Sequence, residues 1–219
     1  MVEKALKIIS PLQGFLDNVE PTHGFLLNKA LIQLQEKNYK TSYYERYYRQ
    51  IYCGLYAADK GWQNVTHYFN PQTKKGLFIF LSAKEAFYQE LKNFHKFSEQ
   101  KNPKAFWHFG RAAHILQDLC EPHHLKPTFL NGHKKFERWV GDNIKIIIRK
   151  LYLPPALRPW LTLEIESFSS KILDYYELVV EKAGDISYFC AAQELLAAAV
   201  KLTMDLFLEN EIYFRKFWY

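Results

Sequence analysis

Cysteine is scarce in this 219-residue chain: Cys53, Cys120 and Cys190 stand far apart, with no Cys-x-x-Cys pair among them. Thiols so spaced exclude a disulfide-stapled scaffold and mildly favour a reducing compartment. Glycine is sparse too, at 9 residues, and long gaps separate most prolines, which argues for helices over a turn-dense β-fold. No apolar run approaches the ~18 residues of a membrane-spanning helix. The stretch from Met1 to Ser10 lacks the apolar core of a secretory leader. The expectation is a cytoplasmic protein, or a secreted one from which a leader has been removed.

Aromatic residues, by contrast, are abundant at 17%, and 29 Lys+Arg outnumber 23 Asp+Glu to give a net charge of +6. A mildly basic chain suits a phosphate-bearing substrate, an anionic membrane or nucleic acid; it does not choose among them, and a solvated basic face is the plainer reading. The length suits one core, so residues 1–219 are expected to form a single compact all-α domain of seven or eight helices.

Apolar spacing places helices at 23–37 (opened by Thr22), 41–58, 82–99 and 103–119, the last capped by Asn102 with Pro103 in its first turn. Another runs from His133 to about Lys150, and two closing helices cover about 163–182 and 187–214. Residues 61–76 and 122–132 read as loops, and the proline-rich stretch 153–159 as the one break. The aromatic end (Phe214, Phe217, Trp218, Tyr219) is expected to dock on the body of the protein, since large apolar surfaces are usually buried.

The informative pattern lies between Asp59 and Glu137: Asp59-x7-His67, His114-x3-Asp118-x5-His124 and His133-x3-Glu137. Residues at i and i+4 share one side of a helix, so each His/carboxylate pair can grip a metal from one face. One such pair alone reads as a surface ion pair. Two pairs within 24 residues, with Pro122-His123-His124 between them and a His-bearing loop upstream, point to a multinuclear metal site of hydrolytic type. His95 and His108 sit among aromatic and basic residues and read as structural, while His123 could orient its neighbour. Trp62, Tyr68, Phe69 and Phe129 could contact acyl chains near the site or could equally be core.

Thr22-His23-Gly24-Phe25, Gly54-Leu55-Tyr56-Ala57-Ala58-Asp59, Thr66-His67-Tyr68-Phe69-Asn70-Pro71, His114-x3-Asp118-x3-Pro122-x-His124 and Gly132-His133-x2-Phe136-Glu137 together resemble the bacterial zinc-dependent phospholipase C family. The resemblance implies the phospholipase C/P1 nuclease fold and hydrolysis of a phosphodiester, most naturally a phospholipid giving diacylglycerol and a phosphorylated headgroup. It implies one zinc on His67, His114 and Asp118, and a second on His124, His133 and Glu137. A third would use His23 and Asp118, and Asp59 matches the carboxylate that orients or deprotonates the attacking water.

The related P1/S1 nucleases typically end the last motif in Asp, so Glu137 points to the phospholipase side and makes nucleic acid the lesser candidate. Peripheral contact with an anionic membrane is a further expectation. In one respect the chain departs from the family, whose third zinc is also held by an N-terminal tryptophan. Ser10 falls at that distance here, and the first tryptophan is Trp62. The third site is therefore expected to be weakened, lost, or completed by Asp17, Glu20 or water.

Overall fold

The computed structural model describes residues 21–60, 65–126, 131–151 and 165–218. Eleven helices lie within them: α1 (Pro21–Glu36), α2 (Ser42–Arg46), α3 (Tyr48–Ala57), α4 (Ala83–Glu99), α5 (Lys104–Asp118), α6 (Pro122–Leu125), α7 (His133–Lys150), α8 (Ile165–Leu173), α9 (Tyr176–Val179), α10 (Asp185–Glu209) and α11 (Glu211–Trp218). The only β-type pairing among the described residues is an isolated bridge between Asn70 and Lys75. No helix described is long and apolar enough to cross a membrane.

The fold is built around α5, which is buried almost throughout, from Ala105 to Asp118. Helices α3, α4 and α10 pack against it, and α10 also lies along α1 and α7. The α3–α5 crossing needs glycine on both sides. A Cβ on Gly54 would fall 1.9 Å from the Trp107 carbonyl oxygen, and one on Gly110 would fall 1.9 Å from that of Ile51. Only backbone without a side chain permits so close an approach. That contact brings the end of α3, with Asp59 just beyond it, beside His114 and Asp118 on α5.

Local chemistry sets several boundaries. Ser82 opens α4 with a complete capping box: its hydroxyl accepts from the Glu85 N–H while the Glu85 carboxylate accepts from the Ser82 N–H. The Asn102 side chain accepts from the Lys104 N–H at the head of α5, as the sequence suggests. Gly132, at φ 99°, makes the left-handed turn into α7, whose bounds match those read from periodicity.

The differences are equally local. The expected 41–58 helix breaks at Tyr47, and residues 163–182 divide into α8 and α9. The last helix starts at Asp185, breaks at Asn210 and resumes as α11. Residues 122–132 contain the one-turn helix α6 instead of loop alone, and Thr22 lies inside α1 instead of capping it. The proline-rich stretch 153–159 lies outside the described residues. The aromatic end docks as expected: Phe214 is fully buried and stacks on Phe106 and Tyr43, while the Trp218 ring meets Tyr47 and Phe106.

Candidate metal centre

Helix α5 projects His114 and Asp118 from one side, both buried in an apolar surround. A buried carboxylate with several buried imidazoles is costly unless each charge finds a counter-charge or a metal. The loop after α3 brings His67 to the same point, with the Phe69 N–H donating to the His124 carbonyl at 2.9 Å. Helix α6 supplies His124, the first turn of α7 supplies His133 and Glu137, and α1 supplies His23.

Two groups result. In the first, His67 Nδ1 lies 2.7 Å from Asp118 Oδ2 and 3.5 Å from Asp59 Oδ1. His114 Nε2 is 3.2 Å from each of the same two oxygens. In the second, His133 Nε2 lies 2.9 Å from Glu137 Oε1, and His124 Nε2 is 3.9 Å from that oxygen. The other oxygen of Asp118, Oδ1, faces His23 Nε2 at 3.3 Å and His124 Nε2 at 4.0 Å. Asp118 thus stands between the groups with one oxygen turned to each side.

These separations fit ligands around a common cation. Zinc bonds of ~2.0–2.2 Å at tetrahedral angles set neighbouring donor atoms ~3.3–3.5 Å apart. His114 Nε2 and Asp118 Oδ2 approach to that distance, yet neither makes a properly directed hydrogen bond, and His133 Nε2 is likewise buried and unmatched. Two pairs, His67–Asp118 at 2.7 Å and His133–Glu137 at 2.9 Å, are at direct ion-pair distance, while the others are spaced more widely, as ligands of a shared ion would be. His23 is oriented by a chain of hydrogen bonds. Thr203 donates to the Ala199 carbonyl and so accepts from Gln117 Nε2, which leaves Gln117 Oε1 as the acceptor 2.8 Å from His23 Nδ1. His23 Nδ1 therefore donates to Gln117 Oε1, and its Nε2 faces Asp118 Oδ1 at 3.3 Å.

Electrostatics agree. Burial alone would lower His114 and His124, but Asp118 and its neighbouring carboxylates raise them to about 10 and about 9. Burial alone would raise Asp118 and Glu137, but the surrounding imidazoles hold both below the usual carboxylate range. For His67, burial prevails and the pKa falls. Asp59 is the open member of its group, with 40% of its side chain exposed against 6% for Asp118. Its oxygen reaches both imidazoles, so a ligand role and a water-orienting role are both within its range.

Three residues escape the sequence reading. Glu121 Oε2 lies 3.5 Å from His133 Nε2 and 3.9 Å from His124 Nε2, so it belongs with the second group. The signal available was an acid directly before Pro122, which reads as a helix cap; Glu121 is indeed the α6 cap. Gln117 and Thr203 orient His23. His123 is not a ligand: Glu121 Oε1 and the Asn131 carbonyl occupy its two nitrogens, and it clamps Glu121 in place. His95 and His108 are structural, paired with Asn210 and Glu90. Phe69 is core, Tyr68 packs beside His124, and Cys120 is a buried thiol whose pKa burial pushes up. Trp62, Phe129, Asp17, Glu20 and Ser10 lie outside the described residues.

Among the described residues, an all-helical core carries a cluster of imidazoles and carboxylates around a shared aspartate, a donor set suited to divalent metal ions. The sequence model for zinc dependent phospholipase C matches residues 22–181, and the chain belongs to that family. Among solved structures, alpha toxin from Clostridium absonum matches with a TM-score of 0.69 at 16% identity, over 85% of this chain. Clostridium perfringens alpha-toxin from avian strain SWCP matches with a TM-score of 0.71 at 17% identity, over 88% of this chain. At such identities the likeness is one of fold. This chain spans 62% of the length of each toxin. A search of curated proteins finds no match.

Proposed function

We propose that this protein is a phospholipase C: a zinc-dependent hydrolase that cleaves the headgroup phosphodiester of a phospholipid and releases diacylglycerol. The observation that carries the reading is the shared Asp118, one oxygen toward His67 and His114 and the other toward His23 and His124. The two groups would hold two zinc ions, one on His67, His114 and Asp118, and one on His124, His133 and Glu137 with Glu121. His23 and Asp118 supply part of a third. Zinc bound there supplies Lewis acidity, which makes hydroxide available near neutral pH and offsets charge on phosphate oxygens.

The protein's own groups do the rest. Asp59, at the exposed side of its group, orients the attacking water and accepts its proton. A cavity of about 510 Å³ adjoins the cluster. His23, Asp118, Glu121, His124 and Glu137 line it together with the apolar Leu26, Phe136, Val140, Leu195 and Leu196. Lys134 and Arg138 also line it, and their charge suits a phosphodiester. A lining that combines ionic and apolar groups suits an amphiphile better than a nucleic acid strand.

The test assays zinc-loaded protein separately on phosphatidylcholine vesicles, a soluble chromogenic phosphodiester and single-stranded DNA. Hydrolysis of the first two, with diacylglycerol released, is the expected result. Cleavage of DNA alone would overturn the assignment in favour of a nuclease. Silence on all three with zinc bound would leave a metal-stabilised, non-catalytic domain.

A further inference from the structure

The segment between the metal-ligating loop and α4 places four large apolar residues in a row at the surface. Phe78 is 80% exposed, Ile79 95%, Phe80 44% and Leu81 47%. The segment is held in that state by its own structure. Asn70 accepts from the Gln72 and Thr73 N–H groups through its side chain and exchanges backbone hydrogen bonds with Lys74 and Lys75, which closes a tight turn. Leu77 is buried as an anchor, and the Phe80 N–H donates to the Leu77 carbonyl. Ser82 is fixed by the capping box, and the Ala83 N–H donates to the Tyr68 carbonyl at 2.9 Å. Phe78 has φ 52°, a left-handed conformation that a bulky side chain adopts only where its surroundings impose it.

Apolar residues scattered over a surface need no explanation, but a contiguous run of them marks a contact site. Here the run is preceded by Lys74 and Lys75, both exposed. An exposed apolar run close in the chain to two exposed lysines, of which Lys74 also lies 3.7 Å from Glu166, matches the chemistry of an anionic lipid surface, acyl chains beneath charged headgroups. The base of the loop is the backbone of Tyr68, next to His67, whose ring lies 2.7 Å from Asp118. A tip in the bilayer therefore sets the metal centre at the membrane surface.

We propose that residues 77–81 are a membrane-docking loop, which inserts Phe78, Ile79, Phe80 and Leu81 among acyl chains while Lys74 and Lys75 meet anionic headgroups. Its service to catalysis rests on the phospholipase reading; the docking itself does not. The test is flotation with vesicles of phosphatidylcholine and phosphatidylglycerol, comparing the wild type with the double variant Phe78→Ser/Ile79→Ser. Both side chains face water, so the fold is unaffected, which circular dichroism checks.

The double variant is expected to lose about a hundredfold in partition, about tenfold for each apolar side chain no longer withdrawn from water. Its turnover of a soluble phosphodiester should match the wild type. Equal flotation of wild type and variant, or a wild type that does not float, would overturn the proposal. So would a wild type that dimerises in sedimentation velocity, with a monomeric variant whose flotation is intact; the loop would then be an interface between copies. Loop-dependent flotation without hydrolysis of any phospholipid would sink the activity assignment and leave the docking loop standing.

Discussion

Zinc should bind this protein more tightly as pH rises, by about tenfold per pH unit at each group, and the protonation of His114 and His124 sets the range. Imidazole binds a metal only when the ligating nitrogen is unprotonated. Burial alone would lower both histidines, but Asp118 and its neighbours raise His114 to about 10 and His124 to about 9 in the metal-free protein. At pH 7 both are therefore imidazolium, and each ion must expel one proton. At about 1.36 kcal/mol per pH unit, that costs about 4 kcal/mol at His114 and about 3 kcal/mol at His124. Coordination contributes about 10–16 kcal/mol in structural zinc sites, so the metal still wins at neutral pH. His67, its pKa lowered by burial, adds no further proton.

Chelator competition between pH 6.5 and 9.5 reads the slope directly. Affinity should rise by one logarithmic unit per pH unit, flattening near pH 9 at the second group and near pH 10 at the first. A flat profile, with no proton released in calorimetry across two buffers, would refute the assigned ligands. The metal-free protein should behave in the opposite sense. A folded-state pKa above the usual 6.5 gives stability that is complete below about pH 6.5 and lost as pH rises through about 9 to 10. Asp118, held below its usual 3.8, contributes above that value and loses its contribution as pH falls below it. Thermal melts of stripped protein should therefore peak between these limits, and added zinc should move the optimum toward alkaline pH.

Three substitutions test other parts of the site. Asp59→Asn should keep its zinc by elemental analysis yet lose about 10²–10⁴ in turnover, the usual contribution of a positioned base; full activity would disprove its role. Glu121→Gln should keep the α6 cap but weaken retention of the second zinc by about 10–100-fold in chelator dialysis, a loss typical of outer groups that support a metal. Unchanged retention would remove Glu121 from the second group. Gly110→Ala should destabilise the fold by about 1–3 kcal/mol in urea, because its methyl would drive α3 and α5 apart; a neutral result would deny that the crossing depends on backbone contact.

What could be read in advance was whatever is local. His114 with Asp118, and His133 with Glu137, are legible because i,i+4 spacing alone fixes a shared helix face, and the helices that carry them fall where periodicity places them. Glu121 was not legible, since a cap beside proline is satisfied locally, while the same oxygen, Oε2, finds His133 only through the fold. The Gln117–Thr203 support of His23 links residues 86 apart in sequence and exists only once α10 lies against α5. Breaks at Tyr47 and Asn210 were missed because neither position carries glycine or proline; Tyr47 stacks on Phe106 and Asn210 pairs with His95, contacts that exist only in the fold.

The main-chain bond from Phe69 to His124 ties the strand of loop after His67 to the one-turn helix bearing His124. Because the donor is a main-chain N–H, among substitutions at position 69 only proline would abolish it outright. The spacing between the two candidate groups is thus set in part by the polypeptide itself, a scaffold on which donors are held at fixed separation.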